Sequence, residues 1–289
     1  MKLAVVGTGY WGSKIVSTLL AMDHEVEQLD LGDELKKINA GHVIVATPAN
    51  THFGITKTLL GQNKNVMVEK PAFMNMKECL QIEKNLKTKF MAGHILLYSE
   101  HFRYIKEHLG FYHGKIRHIE SRRLNWGRAQ EDISPVLHFA PHDIAVIDAL
   151  TKQMPDSVYC HPYHISRKAQ PDYVCIDMMY EGTTVQIQTG WHYNEKIRNI
   201  KVFTDKGIFD WKDENNETNY FANGDTKNNE NFSEYQTSLT RQLQAFIDYC
   251  ENDVEPNSNF AHTKRVTYIV ECIENSLKKG EVIKCSKKY

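Results

Sequence analysis

Over the first hundred residues, short apolar runs alternate with stretches whose apolar residues recur at helical spacing. Leu3 to Val6 reads as a buried strand, and Ile15, Val16, Leu19 and Leu20 form one face of the helix after it. His24 to Leu29 is a second strand, ending at Asp30. Leu31 to Gly41 leaves room for one short crossover helix, Glu34 to Asn39, before the strand His42 to Ala46. A helix through Ile55, Leu59 and Leu60 comes next. The β-branched run Asn65-Val66-Met67-Val68 then leads into Glu69-Lys70-Pro71, where proline forbids the strand to continue. Asn75 caps a helix with Cys79, Ile82 and Leu86 inward, and Phe90 to Leu97 is the next strand. This alternation predicts a parallel sheet with right-handed crossovers.

The pattern changes near Lys115. Lys115 to Asn125 reads as a long strand, and Pro141 opens a helix through Ile144, Ile147 and Leu150. Ser157–Ile165, Tyr173–Tyr180, Thr184–Trp191 and Ile197–Thr204 follow as strands, with Val174, Ile176 and Met178 alternating inward. Such short links, Glu181-Gly182 among them, demand a largely antiparallel sheet. Asp213 to Asn231, rich in Asn, Asp, Glu and Lys, reads as a solvated excursion. Ser233-x-x-Gln236 is a capping box for a helix with Leu239, Leu243, Phe246, Ile247 and Cys250 inward. A last helix uses Val266, Ile269, Val270, Ile273 and Leu277 and stops at Gly280. The expected architecture is α/β: a dinucleotide-binding domain of the Rossmann type over 1–114, then an α+β domain over 115–289 for substrate and oligomerisation.

Composition narrows the function by exclusion. A formal charge of −1 offers no footprint for nucleic acid or an anionic membrane. No apolar run approaches membrane-spanning length. Six scattered cysteines, with no Cys-x-x-Cys pair, are neither a disulfide framework nor a zinc site and suit a reducing cytoplasm.

Chemistry enters with Gly7-Thr8-Gly9-Tyr10-Trp11-Gly12, a Gly-x-Gly-x-x-Gly loop with a strand before it and a helix after. Gly7 permits the turn, Gly9 lets the backbone approach a pyrophosphate, and Gly12 allows helix and strand to pack closely. Asp30, about 20 residues on, is placed to take the adenosine ribose hydroxyls and to repel a 2′-phosphate, so NAD is favoured and NADP not excluded. The alternative is that Asp30 or Asp33 merely caps the next segment. The loop Thr47-Pro48-Ala49-Asn50-Thr51-His52 lies at the same sheet edge. Lys70 ends the central strand there, where open α/β sheets bind ligands. His138 and His142 invite a metal reading by their spacing, but Pro141 suits a first helical turn and no glutamate stands at position 139, so no metal is expected.

These motifs resemble the Gfo/Idh/MocA family of two-domain oxidoreductases over nearly the whole chain. Glu69-Lys70-Pro71 matches its central triplet, after the glycine loop and Ala46-Thr47-Pro48-x-x-x-His52. Four stretches are similar to dehydrogenases acting on UDP-N-acetylhexosamines at C3 in surface-polysaccharide pathways. They are Ala92-Gly93-His94-Ile95-Leu96-Leu97-Tyr98, Arg123-x-Asn125-x-Gly127, Ala140-Pro141-His142-Asp143-Ile144, and Trp191 through Arg198. Two departures stand out. The subfamily has an aspartate where this chain has His138, and an extra strand and helix where Leu31 to Gly41 takes its shortcut.

The resemblance implies hydride transfer between NAD and a secondary hydroxyl, C3 of a nucleotide-linked amino sugar. Lys70 would hold the reacting oxygen and His142 act as base. His138, in place of a carboxylate, would alter the charge around them. Gly7, Gly9, Tyr10, Trp11, Gly12, Asp30, Thr47, Pro48, His52, Glu69 and Lys70 would hold the cofactor. Tyr98, Arg123, Asn125 and His142, with Lys196 and Arg198 for the diphosphate, would hold the substrate. The resemblance also implies a homo-oligomer, dimer or tetramer. A free sugar or polyol as substrate, or a catalytically silent dinucleotide-binding sensor, remain as alternatives. His101 and His108 read as incidental surface residues.

Overall fold

The computed structural model describes residues 1–30, 32–111, 114–126, 133–166, 170–214, 216–222, 225–231 and 237–286, with the backbone alone at 110–111 and 225–231. Contacts divide the chain into two compact units, Met1–Ser99 with Gln236–Thr267, and Glu100–Tyr235 with Tyr268–Tyr289.

In the first unit, β1 (Lys2–Val6), α1 (Tyr10–Ala21), β2 (Glu25–Leu29), β3 (His42–Val45), α2 (His52–Gly61), β4 (Asn65–Glu69), α3 (Met76–Glu83) and β5 (Phe90–Gly93) follow one another. The five strands form one parallel sheet in the order β2-β1-β3-β4-β5. Leu3, Ala4, Val5, Val43, Ile44, Val66, Met67 and Val68 are wholly buried, as a sheet covered on both faces requires. Register aligns Val6 with Val45 and Val45 with Val68, so the loops after β1, β3 and β4 leave one edge. The strand order reverses at β1, with β2 on one side and β3 on the other, the place where such sheets accept ligands.

The second unit holds α4 (Glu100–Phe111), β6 (Ile116–Leu124), α5 (Pro135–Thr151), β7 (Ser157–Tyr163), β8 (Tyr173–Tyr180), β9 (Thr183–Gly190), β10 (Ile197–Thr204), β11 (Gly207–Lys212), β12 (Glu217–Ala222) and β13 (Asp225–Asn231). With β14 (Ile283–Lys284) these strands make a nine-stranded sheet, β13-β12-β11-β10-β6-β9-β8-β7-β14. All its pairs are antiparallel except β6 with β9. Val174, Ile176 and Met178 on β8 are fully buried, and α5 packs on β9, β6 and β8 through Val136, Phe139, Ile144 and Ile147. The antiparallel sheet predicted from the short links is present. Among the described residues no helix is long and apolar enough to cross a membrane.

After β13 the chain makes α6 (Ser238–Asn252) and α7 (Phe260–Lys279). Buried Leu239, Leu243, Phe246 and Ile247 pack α6 onto the first unit, so residues 236–267 group with 1–99. The hydrophobic pattern places a single boundary at 114/115. Contacts instead end the first segment at Ser99 and return a second segment to it, because α6 finds its apolar partners there.

Several local expectations need correction. Pro141 lies inside α5, which starts at Pro135 behind the Ser134 cap, and the ring only deprives Leu137 of one helical bond. The polar stretch 213–231 contains β12 and β13, with Thr218 and Asn219 buried, because the exposed edge of β11 offers the backbone a ladder that outweighs polar composition. The crossover helix shrinks to a single 3-10 turn, Leu35–Lys37, and β5 stops at Gly93 before another such turn, Ile95–Tyr98. Leu20 is exposed. Leu86 lies beyond α3. Ser233 falls outside the described residues, and the cap of α6 is Thr237, whose hydroxyl accepts from the Thr240 N–H.

Candidate active site

On the first unit's ligand edge the glycine loop has the required shape. Gly7 takes φ +98°, and a Cβ there would lie 2.8 Å from the Ala46 carbonyl carbon. A Cβ on Gly12 would come 1.8 Å from the Gly7 oxygen, whereas one on Gly9 would meet nothing within 4 Å. The loop is therefore tight where it packs and open where a pyrophosphate would approach. Gly9 caps α1 without a side-chain hydrogen bond, so no side chain of the cap competes for the first-turn N–H groups. These features fit a dinucleotide.

Asp30 accepts from the Thr8 N–H at 2.9 Å and from its hydroxyl at 2.7 Å, and both bonds hold the carboxyl below its usual range. Asp33 accepts from the Asp30 N–H at 2.7 Å, and the following 3-10 turn is capped at Glu34 without a side-chain hydrogen bond. Neither aspartate caps the following turn, so the capping reading of this segment does not hold. Next along the edge, Thr47 Oγ1 and Thr51 Oγ1 pair at 2.7 Å. His52 is buried, with Nδ1 2.9 Å from the Pro71 carbonyl and Nε2 2.8 Å from the Thr47 carbonyl. Burial depresses its pKa, against the pull of these two carbonyls. His52 therefore ties the loop after β3 to the turn after β4.

Glu69 ends β4 and Lys70 follows it. The Glu69 carboxyl is buried, with Oε2 accepting from the Lys70 N–H at 3.3 Å. Gly93 makes room for it, since a Cβ there would sit 2.6 Å from Glu69 Oε1. Burial raises the Glu69 pKa, opposed by the Trp11 indole, the Lys70 charge and the Gln242 amide. His94, one residue past β5, meets His262 of α7 edge to face at 5.5 Å. Burial first, then His262 and Lys70, hold His94 well below its ordinary pKa. Tyr98 is a core residue of this unit: its hydroxyl lies 2.8 Å from Ser258 Oγ and its pKa is pushed up to about 12 by burial. His262 and Gln242 escaped the sequence reading. The one available signal was a glutamine on the apolar stripe of α6.

In the second unit, Arg123 on β6 is buried and bonds Asp143 of α5 three times, from Nε at 3.0 and 3.1 Å and from Nη2 at 2.8 Å. This pair fixes α5 against the sheet beside His142. His138, on the same helix, lies edge to face with Phe139 at 4.4 Å and tilted on Trp191 at 5.4 Å. With Pro141 inside the helix, His138 and His142 are one turn apart on α5, so that argument against a metal does not hold. Among the described residues, however, no three His, Cys, Asp or Glu gather as a metal set.

Arg198 donates from Nη1 to the Leu124 and Ile197 carbonyls at 2.6 and 2.8 Å, and burial lowers its pKa. Lys196, just before β10, is exposed. Asn125 uses its backbone, donating to Gly190 O and accepting from Tyr193 N, both at 3.2 Å. Arg122, which the sequence reading passed over, donates from Nη2 to the Tyr193 hydroxyl at 2.9 Å. His101 is not an incidental surface residue. It is buried, with Nδ1 2.7 Å from Thr218 Oγ1, Nε2 2.7 Å from Asn216 Oδ1 and its ring stacked on Trp211, and it clamps β12 to α4.

Residues 21–94 match the model of the oxidoreductase family with the NAD-binding Rossmann fold, a span that includes Asp30, His52 and Glu69-Lys70. That model is the one for Gfo/Idh/MocA oxidoreductases, so over this span the chain is similar to that family. An uncharacterized oxidoreductase of Streptococcus pneumoniae is 27% identical over 191 residues, 55% of this chain and 52% of the relative. The chain thus spans about half the length of the curated relative it matches. The UDP-N-acetylglucosamine 3-dehydrogenase GnnA of Acidithiobacillus ferrooxidans has a similar structure, with a TM-score of 0.84 at 17% identity over 96% of this chain and 99% of that one. So has an oxidoreductase of Agrobacterium radiobacter solved with NAD+, L-tartaric acid and magnesium, at 0.84 and 10% identity over 99% and 98%. At these identities the likeness is one of fold.

Proposed function

We propose that the protein is an NAD(H)-dependent oxidoreductase that moves a hydride between nicotinamide and a secondary hydroxyl, C3, of a nucleotide-linked amino sugar. The observation that carries this reading is the position of Lys70, one residue past β4 on the edge where the glycine loop leaves β1. Bound NAD would supply the hydride acceptor, or NADH the donor. The glycine loop and the N-terminus of α1 seat the pyrophosphate, and the Asp30 carboxylate takes ribose hydroxyls and repels a 2′-phosphate. Lys70 holds the sugar oxygen and stabilises its alkoxide character as the C–H bond breaks. His142 takes the hydroxyl proton in oxidation and returns it in reduction. Lys196 and Arg198 meet the diphosphate. The fold likeness to a UDP-N-acetylglucosamine 3-dehydrogenase supports the choice of substrate class.

A second reading, a free sugar or polyol as substrate, is favoured by one observation. Arg198 already donates to two backbone carbonyls and Arg123 to Asp143, which leaves the basic cluster thin for a diphosphate. Following NAD reduction across UDP-amino sugars, free aldoses and inositols separates the two. Turnover on UDP-amino sugars that vanishes in Lys70→Ala supports the first. Turnover on free sugars alone replaces it with the second, and tight NAD binding without turnover on any of them refutes both.

A further inference from the structure

Along α6 the buried positions are Leu239, Gln242, Leu243, Phe246 and Ile247, and Gln242 is completely buried. Burying an amide without a hydrogen bond is unfavourable, and leucine in its place would avoid that loss. Neither Gln242 Oε1 nor Nε2 has a hydrogen-bond partner, and the same is true of Trp11 Nε1 and Glu69 Oε1. These orphaned atoms are neighbours: the Trp11 indole and the Gln242 amide both bear on the Glu69 carboxyl and oppose the rise in its pKa that burial causes. Gly93 backs that carboxyl on β5, where an added Cβ would lie 2.6 Å from Oε1. Two donors and one acceptor, buried together without partners, can be joined by a small contraction or a single water.

We infer that Gln242 is a positioning residue for the Glu69-Lys70 turn, its amide and the Trp11 indole being the donors that hold Glu69 as a carboxylate beside Lys70. The inference rests on the role given to Lys70 above. A carboxylate only accepts hydrogen bonds, so three donors, the third being the Lys70 N–H, match its ionised form and waste one bond on the acid. With fewer donors a buried carboxyl keeps its proton, and a neutral Glu69 exerts no electrostatic hold on the Lys70 ammonium. Trp11 stands in the first turn of α1, so the same contact links the dinucleotide seat to the turn after β4. Among the described residues Lys70 is the charged group that bears on Glu69, from its own turn; α1 contributes Trp11, α6 Gln242 and β5 only Gly93. His94 and His52 respond to Lys70 rather than to Glu69.

The test is a double-mutant cycle read as stability against pH, which needs no substrate. An acid whose folded pKa is raised stabilises the fold below its unfolded pKa, and that stability is lost as pH rises through the folded pKa. Removing a donor raises the folded pKa further. In Gln242→Met, which keeps the volume, the pH at which the loss ends moves up by about one unit. In the Glu69→Gln background the same substitution leaves the pH dependence unchanged. An equal shift in both backgrounds, or none in either, overturns the inference and makes Gln242 a packing residue.

If the methionine variant does not fold, Gln242→Glu takes its place. Its protonated form still donates, so it tracks the wild type in acid and diverges as pH rises; tracking at every pH overturns the inference. If turnover is found, the acid limb of the kcat profile in Gln242→Met rises with the same shift while KM for NAD stays within about twofold. If no substrate turns over, the function proposed above fails and the stability cycle still decides this inference.

Discussion

Two buried carboxylates, one in each unit, are treated in opposite ways. Asp143 is wholly buried and receives three hydrogen bonds from a buried guanidinium. Glu69 is nearly as buried but receives one long bond from the Lys70 N–H, and its second oxygen has no partner. The first arrangement is finished within the fold, so α5 is rigidly placed. The second stands at the ligand edge of a parallel sheet with its polar shell still open. Asp143 is closed by direct bonds to one partner, whereas at Glu69 the Trp11 and Gln242 donors stand near the carboxyl without closing on it.

The largest effect should come from breaking the finished pair. Asp143→Ala leaves Arg123 charged and unpartnered in the interior, and urea denaturation should show a loss of about 3–5 kcal/mol. A loss below about 1 kcal/mol would mean that α5 is held by packing alone. His101→Ala tests whether a buried histidine clamp behaves likewise: two hydrogen bonds and a stacked ring disappear, for about 2 kcal/mol by the same measurement.

The open site is better probed by pH. His94 has its pKa depressed in the fold, so its contribution to stability is present above the unfolded value near 6.5 and is lost as pH falls. Melting curves from pH 7 to 5 should show a stability slope that flattens in His94→Leu. An unchanged slope would place the acid sensitivity elsewhere, with His52 as the next candidate. Asn75→Ala should have the smallest effect, about 1 kcal/mol, because only the hydrogen bond from the Glu78 N–H to the α3 cap is removed. A larger loss would show that the turn after Pro71 is coupled to the open site.

Legibility differed sharply along the chain. Asn75, Gly7 and Gly12 announced their roles because caps and tight turns are local, decided within a few residues by backbone geometry. Strands β8 and β10 emerged at their observed limits, since alternation of buried and open positions is written in order. The stretch 213–231 misled for the opposite reason: pairing with β11 is a long-range event, and polar residues at a sheet edge carry no periodic signature. Pro141 misled because a first-turn preference is only a bias, which the packed face of α5 overrides.

The sequence by itself determined the class of fold and the edge on which a ligand would lie, through the glycine loop, Asp30 and Glu69-Lys70-Pro71. These depend on spacing within single strand-to-helix units, which the order of residues states directly. Only the tertiary structure decided that Arg123 serves Asp143, that Tyr98 and His101 are core residues, and that Gln242 returns from beyond residue 235 to stand by Glu69. Each is a contact between elements far apart in the chain, where the choice among many chemically suitable partners is made by packing.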